Sequence, residues 1–385
     1  MDDIYAVEDR HSSGLYAKHG LAFVKGQGAR LWDAEGREYI DCAAGHGVAN
    51  LGHAHPRVAE AVAEQARRLV TCPETYYNDQ RAAVMARLGS LAPGMERVFL
   101  CNSGTEATEA ALKLARLSTR RTRVVAAMRG FHGRTMGALS ATWNKRFREA
   151  FEPLVPGFEH IPYNNVEALE EAIHAETAAV ILEVVQGEGG VHVGEANFLQ
   201  AAQELCRERG ALLIIDEVQT GFGRTGKLLA IEHFGISPDL LCLAKSIAGG
   251  LPMGAVLIGT RVENLGPGMH ASTFGGNPLV CAASLAAFEV LEGEQLVEQA
   301  AEKGTYLLER LRALESPLIR EVRGLGLMVG LEIKRKVAPY LQAMAERGVL
   351  ALPAGMTVIR LLPPLVITRE ELERVVEVIG EVLGA

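Results

Sequence analysis

Between residues 98 and 243, short apolar runs take turns with helix-period stretches. Val98–Leu100 precedes a helical stretch at Thr105–Arg116, and Arg123–Met128 and Ala178–Val185 are strand-like. Asn197–Arg209 is helical, and Ala211–Ile215 and Leu240–Leu243 are again strand-like. Such alternation predicts a mostly parallel sheet covered by helices. Residues 21–45 read differently. Leu21–Lys25, Ala29–Asp33 and Glu38–Asp41 are short strands with Gly26, Gly28 and Gly36 between them. The last hundred residues hold a long helix around Glu294–Leu314, strands at Val322–Ile333 and Val358–Leu362, and a final helix at Arg369–Leu383. The expected architecture is α/β. Residues 56–285 form a large domain. A smaller α+β domain joins residues 286–385 to N-terminal strands within residues 1–55.

The chain has 385 residues, 48% of them hydrophobic, enough for two domains with sizeable cores. Its net charge of -8 gives no general electrostatic reason to bind nucleic acid or an anionic membrane. The apolar runs are too short to span a bilayer. The polar start MDDIYAVEDRHSSG lacks a signal-peptide pattern. Cys42, Cys72, Cys101, Cys206, Cys242 and Cys281 include no C-x-x-C pair. They read as reduced, mostly buried thiols of a cytoplasmic protein. No metal site is expected. His53 and His55 lie close together, but with no third ligand nearby they read as turn or helix-start residues. GFGRTGKL at 221–228 nearly spells a P-loop, but Leu228 stands where a magnesium-binding Ser or Thr is needed.

Three pieces carry chemistry. ALLIIDEV ends an apolar run in Asp216, at the carboxyl end of a strand where ligands of parallel sheets bind. Alone, Asp216 also reads as a strand-ending residue that caps a turn. DLLCLAKSIAGG ends a second run in Lys245, about 30 residues on, the length of one βαβ unit. A lysine enclosed there has a readily shifted pKa and suits Schiff-base formation; the alternative is a surface lysine at a strand end. CNSGTEATEAALKLAR places Ser103, Gly104 and Thr105 where a strand meets a helix. That is either a phosphate cradle or an ordinary N-cap. Together they match the needs of pyridoxal 5'-phosphate: a lysine for its aldehyde, an acid for its ring nitrogen and an anion site for its phosphate.

NSGTEATEAALKLAR, FHGRTMGALSAT, EVVQGEGG, DEVQTGFGRTGKLLAIEHFGISPDLLCLAKSIAGGLPMGA, STFGGNP, VRGLGLMVGLE and VIRLLPPLVI follow in order, with YIDCAAGHGVANLGHAHP before them. In these stretches the chain resembles the class III, or ornithine/acetylornithine-type, aminotransferases of fold type I. The resemblance implies a pyridoxal-phosphate enzyme with Lys245 as the Schiff-base lysine and proton shuttle, and Asp216 as partner of the ring nitrogen. It implies that Gln219 bonds the ring hydroxyl, that Val218 and Phe131 cover the two ring faces, and that Gly104 and Thr105 hold the phosphate. It implies a homodimer with shared sites, into which Ser272 and Thr273 reach from the second subunit. Arg134 would take a distal carboxylate and Arg360 the α-carboxylate of glutamate or 2-oxoglutarate. Glu183 would pair with Arg360 when an ω-amino substrate is bound. Two departures bear on this. Val184 stands where the family usually has proline, and His46 lies in a variable, substrate-facing segment.

The implied reaction moves the terminal amino group of an N-protected diamino acid to 2-oxoglutarate, giving a semialdehyde and glutamate, in arginine or lysine biosynthesis. The donor would be acetylornithine or lysine on an amino-group carrier protein. GVANLGH, HIPYN and VRGLGLMVGLEIKRKVAPY lean towards the carrier type. An aminomutase or decarboxylase on the same scaffold, or a catalytically silent regulatory protein, are the competing readings. The intact Lys245, Asp216, Arg134 and Thr273 argue against the silent protein.

Overall fold

A computed structural model describes residues 3–385. Its centre is a seven-stranded sheet in the order Arg97–Cys101, Gly254–Ile258, Leu240–Leu243, Leu212–Asp216, Thr177–Glu183, Arg123–Ala127, Phe158–Ile161. All run the same way except Gly254–Ile258, which is antiparallel to both neighbours. Every residue of Thr177–Glu183 and Leu212–Asp216 is buried, as expected of strands covered on both faces. Each Val, Leu or Ile enclosed this way contributes roughly 1.5–3 kcal/mol relative to exposure.

The helix Gly104–Thr119 lies on this sheet, against Leu240–Leu243 and Gly254–Ile258. It buries Ala107, Ala110, Ala111, Leu114 and Ala115. Small side chains on that face let the helix sit close, which brings its N-terminus to the carboxyl ends of the strands. Ser103 caps it, its hydroxyl accepting from the Glu106 N–H at 3.3 Å.

Both ends of the chain add strands elsewhere. Phe23–Gln27, Arg30–Asp33 and Glu38–Asp41 form a sheet whose fourth strand is the distant Val349–Leu350. A second four-stranded sheet runs Ile319–Leu325, Met328–Ile333, Val358–Leu361, Leu352–Ala354. The apolar run read as Val322–Ile333 is therefore a tight hairpin, reversing at Gly326, whose φ is 55°. Leu296–Arg312 and Arg369–Leu383 are the expected long helices. Phe158–Ile161 and Gly254–Ile258 were not evident as strands. The first is an edge strand with few buried residues, and the second is a glycine-led run after a loop. No helix of the described residues is long and apolar enough to cross a membrane.

Candidate active site

Asp216 and Glu183 are the last residues of adjacent parallel strands and stand opposite each other in register. Lys245 follows the next strand, Leu240–Leu243. These three residues therefore meet at one end of the sheet and line one cavity of about 390 Å³. Gly104 and Thr105 line it from the helix N-terminus, Phe131 and Arg134 from the loop after Arg123–Ala127, and Val218 and Gln219 from the turn after Asp216.

Lys245 sits at φ 51°, the left-handed region that side chains with a Cβ rarely occupy. Among the described residues its amine has no hydrogen-bond or ion-pair partner. Burial pushes its ammonium below the ordinary lysine value; the Asp216 charge opposes this and Arg360 adds to it. A strained backbone holding an unpaired amine with a lowered pKa is the arrangement a carbonyl-attacking lysine needs.

Asp216 is 5% exposed and both its oxygens are engaged. Oδ1 accepts from the Val218 N–H at 3.0 Å, and Oδ2 accepts from His132 Nδ1 at 2.8 Å. Burial opposes the His132 imidazolium, but the hydrogen bond and charge of Asp216 outweigh it and Glu183 adds to them, so its pKa is raised. His132 carried no role in the sequence reading. Its only signal was its place beside Phe131 in FHGRT.

The helix start is built for close approach. A Cβ at Gly104 would meet Val218 Cγ1 at 2.7 Å, so only glycine lets the helix start abut the ring-side residue. Thr105 and Thr135 hydroxyls lie 2.8 Å apart, and Thr135 donates to Glu109 Oε1 at 2.6 Å. Because a carboxylate only accepts, Thr105 must donate to Thr135. Its own hydroxyl hydrogen is thus committed, leaving backbone N–H groups to face an anion.

Arg360 is 1% exposed and comes from the strand Val358–Leu361. Its Nη2 donates to Glu188 Oε1 at 2.6 Å and its Nη1 to Gln219 Oε1 at 3.3 Å. This corrects the expected Glu183–Arg360 pair. Glu183 ends a buried strand, and its carboxylate is used at home, accepting from the N–H of Phe131 at 2.9 Å and of Gly187 at 3.2 Å. Glu188 lies in the turn after the short strand Val185–Gln186 and crosses to the guanidinium. The second acid of EVVQGEGG was the available sequence signal. Burial pushes Glu183 up to about 7, with His132 pulling down and Asp216 pushing up.

The remaining expected residues fall as follows. Arg134 is exposed and stacks on Phe147 at 3.7 Å and Phe131 at 5.6 Å. Gln219 turns its amide to the His46 carbonyl at 3.3 Å, and His46 lines the cavity. Val184, at the position of the missing proline, is buried, and its carbonyl accepts from Gly194 N–H at 2.9 Å and from the Tyr163 hydroxyl at 3.1 Å. Ser272 and Thr273 do not line the cavity of their own chain. Ser272 Oγ accepts from Asn102 Nδ2 at 3.1 Å and Gly275 N–H at 3.0 Å, while Thr273 is exposed. The histidines passed over as ligands pair with acids, His53 with Asp41 and His55 with Glu294.

An unpaired lysine amine, a buried carboxylate with a fixed orientation, and a glycine-lined helix start together fit pyridoxal phosphate. Lys245, Asp216, and Gly104 with Thr105 would hold its aldehyde, nitrogen and phosphate. Comparison with known proteins agrees. The family model for aminotransferase class-III matches residues 15–383. The chain is 52% identical to a [LysW]-aminoadipate semialdehyde transaminase of Deinococcus radiodurans, covering 98% of this chain and 90% of that one. It is 49% identical to an acetylornithine aminotransferase of Methanopyrus kandleri, covering 98% of each. Among solved structures, the ornithine aminotransferase of Toxoplasma gondii, described with pyridoxal phosphate at its active site, superposes with a TM-score of 0.95. It is 38% identical, over 98% of this chain and 93% of that one. With its fold and nearly its whole length in agreement, the chain belongs to the class III aminotransferases, which are pyridoxal-phosphate-dependent enzymes of fold type I.

Proposed function

We propose that this enzyme moves the terminal amino group of an N-protected diamino acid to 2-oxoglutarate, giving a semialdehyde and glutamate. The donor we favour is lysine attached to a carrier protein, with acetylornithine as the second candidate. The 52% identical Deinococcus radiodurans transaminase supports the first and the 49% identical Methanopyrus kandleri enzyme the second. Either places the reaction in lysine or arginine biosynthesis.

The observation that carries the reading is the Glu188–Arg360 pair. A donor whose reacting amine is remote from any carboxylate needs Arg360 neutralised, and Glu188 does that. Glutamate carries a carboxylate beside its reacting carbon, and that carboxylate can replace Glu188 on the same guanidinium. One cation exchanging two carboxylate partners lets one cavity accept both substrates, because neither state leaves a buried charge unpaired. A decarboxylase or a silent binding protein has no use for such an exchange.

The bound cofactor supplies an electron-accepting ring that stabilises the charge left on carbon when a proton departs. Lys245 Nζ would hold the cofactor, and the same atom would carry the proton moved during the reaction. Asp216, held by His132 and the Val218 N–H, keeps the ring nitrogen's proton in place. Val218 and Phe131 would enclose the ring and exclude water, and Gln219 would bond the ring hydroxyl. Ser103, Gly104 and Thr105 hold the phosphate. Arg134 takes the distal carboxylate.

Thr273 completes the phosphate site of a second subunit in a homodimer, with Ser272 shaping its loop. Exposed Phe274, Tyr76 and Tyr77 support that surface. Arg81 ties their segments together, donating to the Cys72 carbonyl at 2.8 Å and the Gly276 carbonyl at 3.2 Å.

Steady-state kcat/KM for acetylornithine and for carrier-bound lysine, with 2-oxoglutarate as acceptor, tests the substrate. The expected result is a clear preference for the carrier-bound amine. Turnover of neither overturns the reading. Borohydride reduction of the holoenzyme followed by peptide mapping should label Lys245 alone.

A further inference from the structure

Arg224, 0% exposed, shares with Arg360 the place of largest fully buried side chain among the described residues, and no carboxylate pairs with it there. Burial pushes its guanidinium down to about 9, with Cys42 and Asp41 pulling the other way. Keeping a cation in such a place is costly, and an apolar side chain of similar volume often serves packing equally well. What an apolar side chain cannot do is fix several chain segments at set angles, as the planar fork of arginine does.

The fork holds three segments. Nη1 donates to the carbonyls of Leu327 at 3.0 Å and Pro363 at 2.5 Å, and Nη2 donates to Asn50 Oδ1 at 2.6 Å. The Arg224 carbonyl also accepts from the Leu327 N–H at 3.0 Å. Leu327 immediately precedes the strand Met328–Ile333, and Pro363 lies two residues past the strand Val358–Leu361. Those two strands pair, with Gly330 opposite Arg360 and Val329 opposite Leu361. Asn50 is anchored in turn, donating to the Phe222 carbonyl at 2.9 Å while its own carbonyl accepts from Leu365 N–H at 2.7 Å. Arg224 therefore grips both strands at the end from which Arg360 projects, and fastens them to the turn that carries Gln219 and to the segment that carries His46.

We propose that Arg224 is a positioning residue for Arg360: it sets where the Arg360 guanidinium stands relative to Gln219 and Glu188, and thereby the enzyme's affinity for glutamate and 2-oxoglutarate. This rests on the reading of Arg360 as the α-carboxylate site. Arg224 touches neither the cavity nor any reacting atom.

Arg224→Lys keeps a cation but loses the fork. In the holoenzyme it should raise KM for 2-oxoglutarate on the order of ten- to a hundredfold, the scale of a small misplacement remote from the chemistry. Binding of glutarate, an unreactive dicarboxylate, followed by calorimetry, should weaken in parallel. The amino-donor half-reaction and the thermal midpoint should move far less. Losses equal in both half-reactions, or no change in glutarate binding, overturn the proposal. Asn50→Ala, which removes one acceptor and leaves Arg224, should show the same split in milder form. If neither variant folds, the fork serves folding and the proposal is wrong. Arg360→Ala separates the two readings. If it fails to weaken glutarate, the carboxylate-site reading falls and takes this proposal with it. If it weakens glutarate and Arg224→Lys does not, only the positioning role falls.

Discussion

His132 Nδ1 lies 2.8 Å from Asp216 Oδ2, with both side chains enclosed, and His132 Nε2 has no partner among the described residues. A buried ring with one nitrogen unpaired is expensive to keep, so its other nitrogen must earn its place by holding Asp216. His132→Ala should leave the chain folded and the cofactor bound but lower turnover about ten- to a hundredfold, as is usual when the outer partner of a site ligand is lost. Asp216→Asn should cost more, about 10²–10³ in rate. Single-turnover absorbance measurements check both; a His132→Ala enzyme at wild-type speed would refute the role.

Because Glu188, and not Glu183, holds Arg360, the two acids should fail differently. Glu188→Ala frees Arg360, so it should slow the half-reaction with the ω-amino donor and spare or quicken the one with glutamate. Glu183→Ala releases the Phe131 backbone and should slow both. Rapid-mixing spectra for each half-reaction decide this, and a donor-specific defect in Glu183→Ala would reverse the assignment.

The same buried acids set a pH dependence. Glu183 is raised from 4.5 to about 7 in the folded chain, and His132 is also raised. A group whose folded pKa is raised contributes stability that is complete below its unfolded value and lost as pH rises through the folded one. For Glu183 that window runs from about 4.5 to about 7. The cofactor-free protein should therefore lose thermal stability across it. Glu183→Gln is neutral throughout, so its midpoint relative to wild type should climb over the same interval. A difference that stays flat with pH would count against a raised Glu183.

The proposed sharing of sites between two subunits makes a prediction about mixtures. A Lys245→Ala subunit still offers Thr273, and a Thr273→Ala subunit still offers Lys245. Mixed dimers should thus regain one intact site of the two, while each parent stays weak. Activity that does not return on mixing, although mass spectrometry shows exchanged subunits, would rule out a contribution from the neighbouring Thr273.

Much of this was legible in the residues. Asp216 and Lys245 end apolar runs about thirty residues apart, joined by a segment whose one helical turn is Ala230–His233, and parallel strands carry their last residues to a common edge whatever the loops do. The place of Gly104 and Thr105 on the cavity was legible for the same reason, as they begin the helix at a strand–helix junction. The Glu183–Arg360 assignment failed because it depended on where a side chain turns after a strand ends. Sequence spacing says which acids are near the edge. It does not say that Glu183 is consumed by the N–H groups of Phe131 and Gly187, leaving Glu188 to cross. His132 and Arg224 were invisible for a related reason. Their partners lie 84 and more than a hundred residues away, brought near only by the sheet and the paired strands.

Lys245 adopts a left-handed backbone, at φ 51°. Glycine occupies that region without the roughly 1–2 kcal/mol cost borne by other residues. On the proposed role of Lys245, the position is therefore pulled two ways in evolution: catalysis requires a long amine, while folding alone would prefer no side chain. A descendant freed from selection for activity should drift to glycine here and become more stable as it falls silent. Lys245→Gly should accordingly melt above Lys245→Ala, although the two are equally dead, and the gap between them measures what the active enzyme forgoes in robustness to keep its nucleophile aimed.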